Sequence, residues 1–379
     1  MGGGRVTAPL QGHVDPRLAA AGDRLAAALA ADPDLSFQAA AFHHGTPVLD
    51  VWGGPHLDED SVLVPYSVSK NTIGITAGLL VERGLLDLDA PVAEYWPEFA
   101  AAGKAAVTVR QLLSHQAGLP QATPALDFLD MLDQTAAAAS LAASVPFWHP
   151  GSAFGYHATT IGTLGAELVQ RVTGRSLHAF YEEEIRAPHG IDFFLGLPAE
   201  EEARRVDVLP MVPPAAGPGE RQTTPLGALV FGPGRSSVDM ANDRRSWGYG
   251  HPATSATGSA RGIARLLAAA VTGVDGRAPF LSTETVAAVG QQQVRGFDEV
   301  LGQQDRAHAI VFQKPSAAMP FGGPRAFGHD GAAGCFACVD PDTGVAFAWT
   351  IVRGPWPGGG DPRAIALAAE IGQTLETSA

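Results

Sequence analysis

Apolar and polar residues alternate with different periods along the chain, and each period predicts a type of element. Asp15-Pro16 combines a helix cap with proline at the first helical position, so it predicts a helix that continues to about Ala31. Two short apolar runs follow at 36–42 and 48–52, and the turn residues between them predict a β-hairpin. Residues 68–81 are apolar nearly all round, which is typical of a buried helix.

The middle of the chain has helical spacing, and strand-like runs return near its end. Helices are predicted at 108–113, 127–145, 159–172, 176–186 and 254–271, with a final helix that begins at Asp361-Pro362. Strands are predicted at 307–312, 325–339 and 344–351. Residues 209–234 are rich in proline and glycine and predict a long loop, either functional or mobile.

Strands at both ends and helices between them predict an α/β fold of the α+β type. Its antiparallel sheet is built from both termini, and an all-helical domain is inserted between them. The predicted boundaries are 1–85 for the first part of the α/β domain, 86–250 for the helical domain and 251–379 for the second part.

Composition narrows the class of partner. The net charge of −14 argues against nucleic acid and anionic membranes, which attract basic surfaces. The beginning of the sequence has no apolar signal segment, and no run approaches the ~18 apolar residues of a membrane span. These features favour a soluble cytoplasmic protein that acts on a small molecule, and a homo-oligomer is compatible with them.

Metal and cofactor motifs are not found in the sequence. The histidines have no H-E-x-x-H spacing, and neither a P-loop nor a G-x-G-x-x-G is present, so we expect neither a metal nor a cofactor. Cys335 and Cys338 form a C-x-x-C without a second ligand pair, which favours packing cysteines. The lack of G-x-S-x-G argues against an α/β-hydrolase.

Ser67 and Lys70 stand at the start of the apolar helix, three residues apart and therefore on one face. Burial of an ammonium lowers its pKa, and a neutral amine beside a hydroxyl is a general base beside a nucleophile. The alternative is a serine helix cap with an incidental lysine. Both interpretations stay open from these residues alone.

Two further stretches carry candidate chemistry. Tyr156 follows a turn-rich segment and precedes a predicted helix, so its hydroxyl could project into a cleft or simply pack the loop. The glycine-rich residues 328–334 allow a ligand to approach the backbone, or they mark a bend in a strand.

With these residues assembled, the sequence resembles the serine β-lactamase and penicillin-binding-protein superfamily. The resemblance is strongest to the family VIII bacterial carboxylesterases, which are related to class C β-lactamases. It is carried by Ser67-x-x-Lys70, Tyr156 and the His329-Asp330-Gly331 strand, and it extends through residues 85–99, 108–120 and 155–159. The resemblance implies an antiparallel sheet flanked by helices, with the active site between the sheet and the helical insertion.

The same resemblance implies roles for individual residues. Ser67 would be the acylated nucleophile, and Lys70 and Tyr156 would move its proton. The backbone N–H groups of Ser67 and Ala332 would form the oxyanion hole. The remaining matched positions would contact substrate, and these are Gln121, His157, His329, Asp330 and Gly331.

Two departures from the β-lactamase pattern change the expected substrate. Ala158 stands where those enzymes usually have asparagine, and His329 stands where they usually have lysine. These changes remove an amide and a cation suited to β-lactams. We therefore expect a serine carboxylesterase for small esters. The rivals are an acyltransferase, amidase or weak β-lactamase with the same acyl-enzyme, and a non-catalytic ligand-binding protein on this scaffold.

Overall fold

The computed structural model describes residues 9–215, 223–232 and 236–377. Its strands are β1 (Gln11–Val14), β2 (Phe37–His43), β3 (Thr46–Gly53), β4 (Phe193–Phe194), β5 (Thr257–Gly258), β6 (Val294–Gly296), β7 (Arg306–His308), β8 (Phe327–Asp330), β9 (Ala333–Gly334), β10 (Phe336–Asp340), β11 (Val345–Ile351) and β12 (Gly359–Gly360). Its α-helices are α1 (Ala19–Ala31), α2 (Lys70–Glu82), α3 (Val92–Tyr95), α4 (Val109–Leu113), α5 (Gln134–Ala143), α6 (Thr160–Thr173), α7 (Leu177–Tyr181), α8 (Ala187–His189), α9 (Pro225–Phe231), α10 (Ser237–Asn242), α11 (Arg244–Tyr249), α12 (Ala260–Val271), α13 (Thr283–Gly290) and α14 (Pro362–Glu376).

A six-stranded antiparallel sheet joins the two ends of the chain in the order β1-β3-β2-β11-β10-β8. The central pair is β2 with β11, in which Ala39 lies opposite Trp349. Every residue of β11 is buried, because α12 and α14 pack against it and leave no face for water. The predicted fold class is confirmed: the molecule has the β-lactamase/transpeptidase-like fold of mixed helices and antiparallel sheet.

The helix α2 lies inside the protein, as its uniformly apolar sequence predicts. It contacts α6, α7, α12 and α13, so it is enclosed on several sides. Gly74 permits a close approach of the segment after β7, since a Cβ there would come 2.3 Å from the ring of Phe312. The helix ends at Arg83, and Gly84 follows it in the left-handed conformation.

Local capping signals are reproduced where the sequence predicts them. The Asp15 carboxylate accepts a hydrogen bond from the backbone of Arg17 and begins the first helical segment. Thr108 and Gln111 form a reciprocal capping box at the start of α4. Gly174 ends α6 in the left-handed conformation. The β2–β3 hairpin and the last helix are also confirmed.

The predicted strand at 325–339 is wrong, because the chain reverses within it. Residues 327–330 form β8 and residues 336–340 form β10, and the two strands pair antiparallel with Asp330 opposite Phe336. The sequence prediction joined both halves into one strand and noted only a possible bend between them. The glycine-rich stretch 328–334 marks this reversal.

The predicted loop at 209–234 contains the helix α9, which the sequence prediction missed. The Thr224 hydroxyl oxygen caps this helix by accepting a hydrogen bond from Gly227 N, and Pro225 occupies the first helical position. The sequence prediction missed this helix start because the surrounding prolines and glycines indicate a loop. Part of the predicted loop, 216–222 and 233–234, lies outside the described residues.

Three boundaries differ from the predictions in a simpler way. The helix predicted at 254–271 begins only at Ala260, after β5. The helix predicted at 127–145 is reduced to α5 and a short 3₁₀ turn before it, and the strand predicted at 307–312 is the shorter β7. The division into segments 1–85, 86–250 and 251–379 stays a prediction. Within the described ranges, no helix combines the length and apolarity needed to cross a membrane.

Candidate active site

Ser67 lies in a 3₁₀ turn, Tyr66–Ser69, that leads directly into α2. Tyr66 has a φ angle of 53°, in the left-handed region that non-glycine residues rarely occupy. Such strained backbone is frequent at functional sites. Ser67 itself is half-buried, whereas its neighbours on both sides are buried.

Lys70 is completely buried at the first position of α2. Its Nζ lies 3.0 Å from Ser67 Oγ and donates to the backbone oxygens of Ala158 at 2.7 Å and Ala253 at 2.9 Å. Burial holds the pKa of Lys70 well below its ordinary value, and the Asp330 carboxylate opposes this shift only in part. The side chain therefore favours the neutral amine.

Tyr156 completes the cluster from the segment before α6. Its hydroxyl donates to Ser67 Oγ at 2.7 Å, and the Lys70 Nζ lies 4.8 Å from its ring centre. Burial raises the pKa of Tyr156 above its ordinary value, which outweighs the opposite effect of the hydrogen bond to Ser67. The tyrosine is therefore a neutral phenol at physiological pH. Tyr156 is thus brought to the Ser67–Lys70 pair although it lies 89 residues from Ser67 along the chain.

The turn after β8 brings backbone close to Ser67. A Cβ on Gly331 would lie 2.4 Å from the carbonyl oxygen of Pro65, so only glycine fits this approach. Ala332 follows in the turn and is exposed, and its carbonyl accepts a hydrogen bond from Gly359 N at 3.1 Å. Its role as an oxyanion donor stays a prediction, since it depends on where a substrate carbonyl lies.

Two of the predicted substrate contacts, His329 and Gly331, lie close to Tyr156 or to the segment before Ser67. His329 is buried at the end of β8 with its ring centre 5.8 Å from that of Tyr156. Burial holds the pKa of His329 well below its ordinary value, so the imidazole is neutral. Gly331 lies against Pro65, two residues before Ser67, as described above.

The other predicted contacts make hydrogen bonds within the protein. His157 accepts from Leu119 N at 2.9 Å, and its Nδ1 lies 2.6 Å from the oxygen of Gly155, so neither ring nitrogen is left for a substrate. Burial lowers the pKa of His157 to about 4. Asp330 accepts from the Gln313 side chain at 2.7 Å and from Gly360 N at 3.0 Å.

Gln121 is half-buried and bonds its own loop. Its amide oxygen accepts from Ala122 N at 2.9 Å, and its nitrogen donates to the oxygen of Leu126 at 3.2 Å. The amide nitrogen has a second N–H, which a substrate can accept without replacing these bonds. Substrate binding by Gln121, His157 and Asp330 stays a prediction.

Several buried groups around Tyr156 were missed by the sequence prediction. His115 and His308 flank its ring, Asp298 bonds its backbone, and Val300 packs against it together with α9. These residues are far apart in the sequence and form no motif. The large number of histidines was the one feature that could have indicated such a cluster. Among the described residues, no three His, Cys, Asp or Glu side chains are grouped so that they could hold a metal ion.

The sequence model of the Beta-lactamase family matches residues 24–370, nearly the whole chain. The chain belongs to the beta-lactamase family. Among curated relatives, the "Esterase/beta-lactamase LipL" of Mycobacterium tuberculosis is 33% identical over 336 residues, which cover 82% of this chain and 75% of LipL.

Solved structures agree with this assignment of the beta-lactamase-family chain. EstA from Arthrobacter nitroguajacolicus Rue61a is 38% identical with a TM-score of 0.91, over 99% of this chain and 100% of EstA. A family VIII carboxylesterase is 31% identical with a TM-score of 0.87, over 98% of this chain and 100% of the other. The resemblance to family VIII is thus confirmed, and these relatives identify the protein as a serine hydrolase.

Proposed function

We propose that this serine hydrolase is a carboxylesterase that cleaves small esters through an acyl-enzyme on Ser67. One observation carries the proposal: Ser67 Oγ lies within hydrogen-bond distance of both Lys70 Nζ and the Tyr156 hydroxyl, at 3.0 and 2.7 Å. This is the arrangement that an activated nucleophile requires.

The protonation states support a specific division of labour. A neutral Lys70 has two N–H groups, which match the two carbonyl oxygens of Ala158 and Ala253, so its lone pair is left for the hydroxyl proton of Ser67. Tyr156, as a neutral phenol, already donates to the same oxygen. In this proposal Lys70 is the general base and Tyr156 is the general acid.

Acylation then proceeds in two steps. Ser67 Oγ attacks the ester carbonyl while its proton passes to Lys70 Nζ, and the backbone N–H groups of Ser67 and Ala332 bind the oxyanion, a donor being typically worth about 3 kcal/mol. The C–O bond to the alcohol breaks, the alcohol takes the Tyr156 proton, and the Lys70 ammonium restores that proton to Tyr156.

Deacylation repeats the cycle with water. Water gives its proton to Lys70 as it attacks the acyl carbon, and Ser67 leaves with the proton of Tyr156. The acid is released, and both Lys70 and Tyr156 return to their neutral forms. Protons and charges balance without a cofactor.

The site favours neutral esters over β-lactams. His329, at the position where β-lactamases usually have lysine, is buried and neutral, so it offers no positive charge to a carboxylate. At Ala158 the backbone oxygen binds Lys70, and no side-chain amide is available. The relative LipL is named an esterase/beta-lactamase, which makes weak β-lactam hydrolysis the second candidate.

The test compares the wild type with Ser67→Ala on p-nitrophenyl acetate and a chromogenic cephalosporin. We expect the ester to be hydrolysed at least about 10³-fold faster by the wild type than by the variant. Equal rates would end the proposal. Faster turnover of the cephalosporin than of the ester by the wild type would favour the second candidate. Products formed with added amines or alcohols would identify acyl transfer.

A further inference from the structure

Behind Tyr156 lies a group of buried polar atoms that the proposed mechanism does not use. Among the described residues, these atoms have no hydrogen-bond partner: His115 Nε2, Asp298 Oδ2, both ring nitrogens of His308, and His329 Nε2. Buried polar groups in proteins are nearly always paired, so such a concentration calls for an explanation. All four side chains are fully buried.

One hairpin supplies two of these residues. Asp298 follows β6 and His308 ends β7, and the two strands pair antiparallel. Asp298 Oδ1 accepts three backbone hydrogen bonds, from Tyr156 at 3.0 Å, Val300 at 2.9 Å and Leu301 at 2.8 Å. The main chain of the catalytic tyrosine is therefore attached to this carboxylate.

Asp298 is best described as a buried carboxylate. Burial alone would raise its pKa, but His308 and the backbone N–H groups of Leu301 and Tyr156 outweigh burial and hold the pKa of Asp298 below its ordinary value. An ionised oxygen in the interior needs a donor. His308 is placed to supply it, since its Nε2 lies 3.8 Å from Asp298 Oδ2, slightly beyond hydrogen-bond distance.

His308 also supports the aromatic ring of Tyr156. The two rings are nearly parallel, with an interplanar angle of 19° and 6.2 Å between their centres. His115 meets His308 edge-on at 4.7 Å and accepts from His157 N at 3.2 Å, so the residue after Tyr156 is held as well. Burial lowers the pKa of His308 although Asp298 acts in the opposite direction.

We propose that Asp298 and His308 are a positioning pair for Tyr156. The carboxylate holds the backbone of the tyrosine and the imidazole supports its ring, so that the hydroxyl stays at 2.7 Å from Ser67 Oγ. Neither residue touches the reacting atoms. The inference rests on the proposed function, in which Tyr156 protonates the departing alcohol.

The role of Tyr156 provides a readout that a merely structural defect would not change. A p-nitrophenolate departs without protonation, whereas an ethoxide requires a proton as the C–O bond breaks. If Asp298 and His308 act through Tyr156, the loss in their variants must grow as the leaving group becomes poorer. A defect in folding or in the amount of active enzyme lowers all rates by the same factor.

The experiment measures kcat/KM for p-nitrophenyl, phenyl and ethyl acetate with Asp298→Asn and His308→Gln. Asparagine keeps an oxygen for the three backbone donors and removes the charge. We expect losses of about 10-fold for the p-nitrophenyl ester and about 10²- to 10³-fold for the ethyl ester, as is typical of a misplaced general acid. For Tyr156→Phe, the loss in kcat/KM should likewise be smallest for the p-nitrophenyl ester and largest for the ethyl ester.

Asp340→Asn is the matched control. Asp340 is also a buried carboxylate that accepts backbone hydrogen bonds, from Gly323 and Asp342, but it lies at the end of β10 away from Ser67. We expect its rates for the three esters to change by one common factor. If Asp298→Asn does not fold, His308→Gln carries the test alone.

Two results would overturn the positioning pair: equal losses for all three esters, or no loss at all. Either result, together with an inactive Ser67→Ala, would leave the proposed esterase in place and remove only the role of Asp298 and His308. An active Ser67→Ala would instead remove the proposed function.

Discussion

At the scale of single residues, burial favours the neutral forms of Lys70 and Tyr156 on which their proposed roles depend. Lys70 and Tyr156 both contact Ser67 Oγ, but burial shifts their pKa values in opposite directions, down for the amine and up for the phenol. In each case the neutral form is favoured, because a charge in the interior loses its hydration. A neutral amine can accept a proton and a neutral phenol can donate one.

A second buried lysine, Lys104, serves as a control that separates the chemical role of Lys70 from the effect of burying a lysine. Lys104 Nζ also donates to two backbone oxygens, of Ala101 and Ser144, but no serine nucleophile is proposed beside it. We expect Lys70→Met to lower kcat/KM for p-nitrophenyl acetate by about 10²- to 10⁴-fold, as loss of a general base does. Lys104→Met, corrected for folded protein, should stay within about twofold. Similar losses in both variants would contradict a special role for Lys70.

The pH dependence of the wild type follows from the same amine. The competent form is deprotonated, so kcat/KM rises with pH until the pKa of Lys70 is passed and is constant above it. An ordinary lysine, with a pKa of about 10.4, would extend the rise to about pH 10. Since burial lowers the pKa of Lys70, we expect the plateau to begin well below that pH. A profile of p-nitrophenyl acetate hydrolysis, corrected for its spontaneous hydrolysis, checks this, and a rise that continues to about pH 10 would refute it.

At the scale of elements, the site depends on close approaches between backbone segments. The turn after β8 reaches the segment before α2 only because Gly331 has no Cβ. The sequence indicated only a possible bend in the glycine-rich residues 328–334, and the predicted strand at 325–339 ran through it. By contrast, α2 was predictable almost in full, because its apolar composition and its glycine stop are local signals.

Gly331→Ala should damage the active site more than the fold. The added Cβ would lie 2.4 Å from the oxygen of Pro65, so the turn must move away from Ser67. We expect a loss of about 10²-fold in kcat/KM and a destabilisation of about 1–3 kcal/mol. Gly248→Ala, in α11 with nothing within 4 Å of the added Cβ, is the control and should leave activity unchanged. An active Gly331→Ala would show that the approach is unnecessary.

At the scale of the whole molecule, buried neutral histidines make the stability of the fold depend on pH. Burial lowers the pKa of His157 to about 4 and that of His251 to about 3. In the unfolded chain these side chains take up protons near pH 6.5, so the unfolded state binds more protons below that pH. Their contribution to stability is complete above about pH 6.5 and is lost as the pH falls toward their folded pKa values.

As the pH is lowered, we expect the free energy of unfolding to decrease by at least about 2.7 kcal/mol per pH unit around pH 5. Each of the two histidines contributes about 1.4 kcal/mol per pH unit to this slope. Urea unfolding at several pH values between about 7 and about 5 measures this slope. His251→Gln should reduce the slope by about one proton. A flat dependence over this range would contradict the neutral buried histidines.

The sequence by itself determined the local features, and its resemblance to a known family supplied the candidate reacting groups. Caps, turns and apolar periodicity act over a few residues, and they were sufficient for α2 and the β2–β3 hairpin, but they left two interpretations of the Ser67–Lys70 pair open. The tertiary structure alone decided which groups surround that pair. The carbonyls that hold Lys70 belong to Ala158 and Ala253, which are 88 and 183 residues away along the chain. Protonation states depend on such distant neighbours through burial and hydrogen bonds, so no local pattern could have led to the base, the acid or the support by Asp298 that we propose.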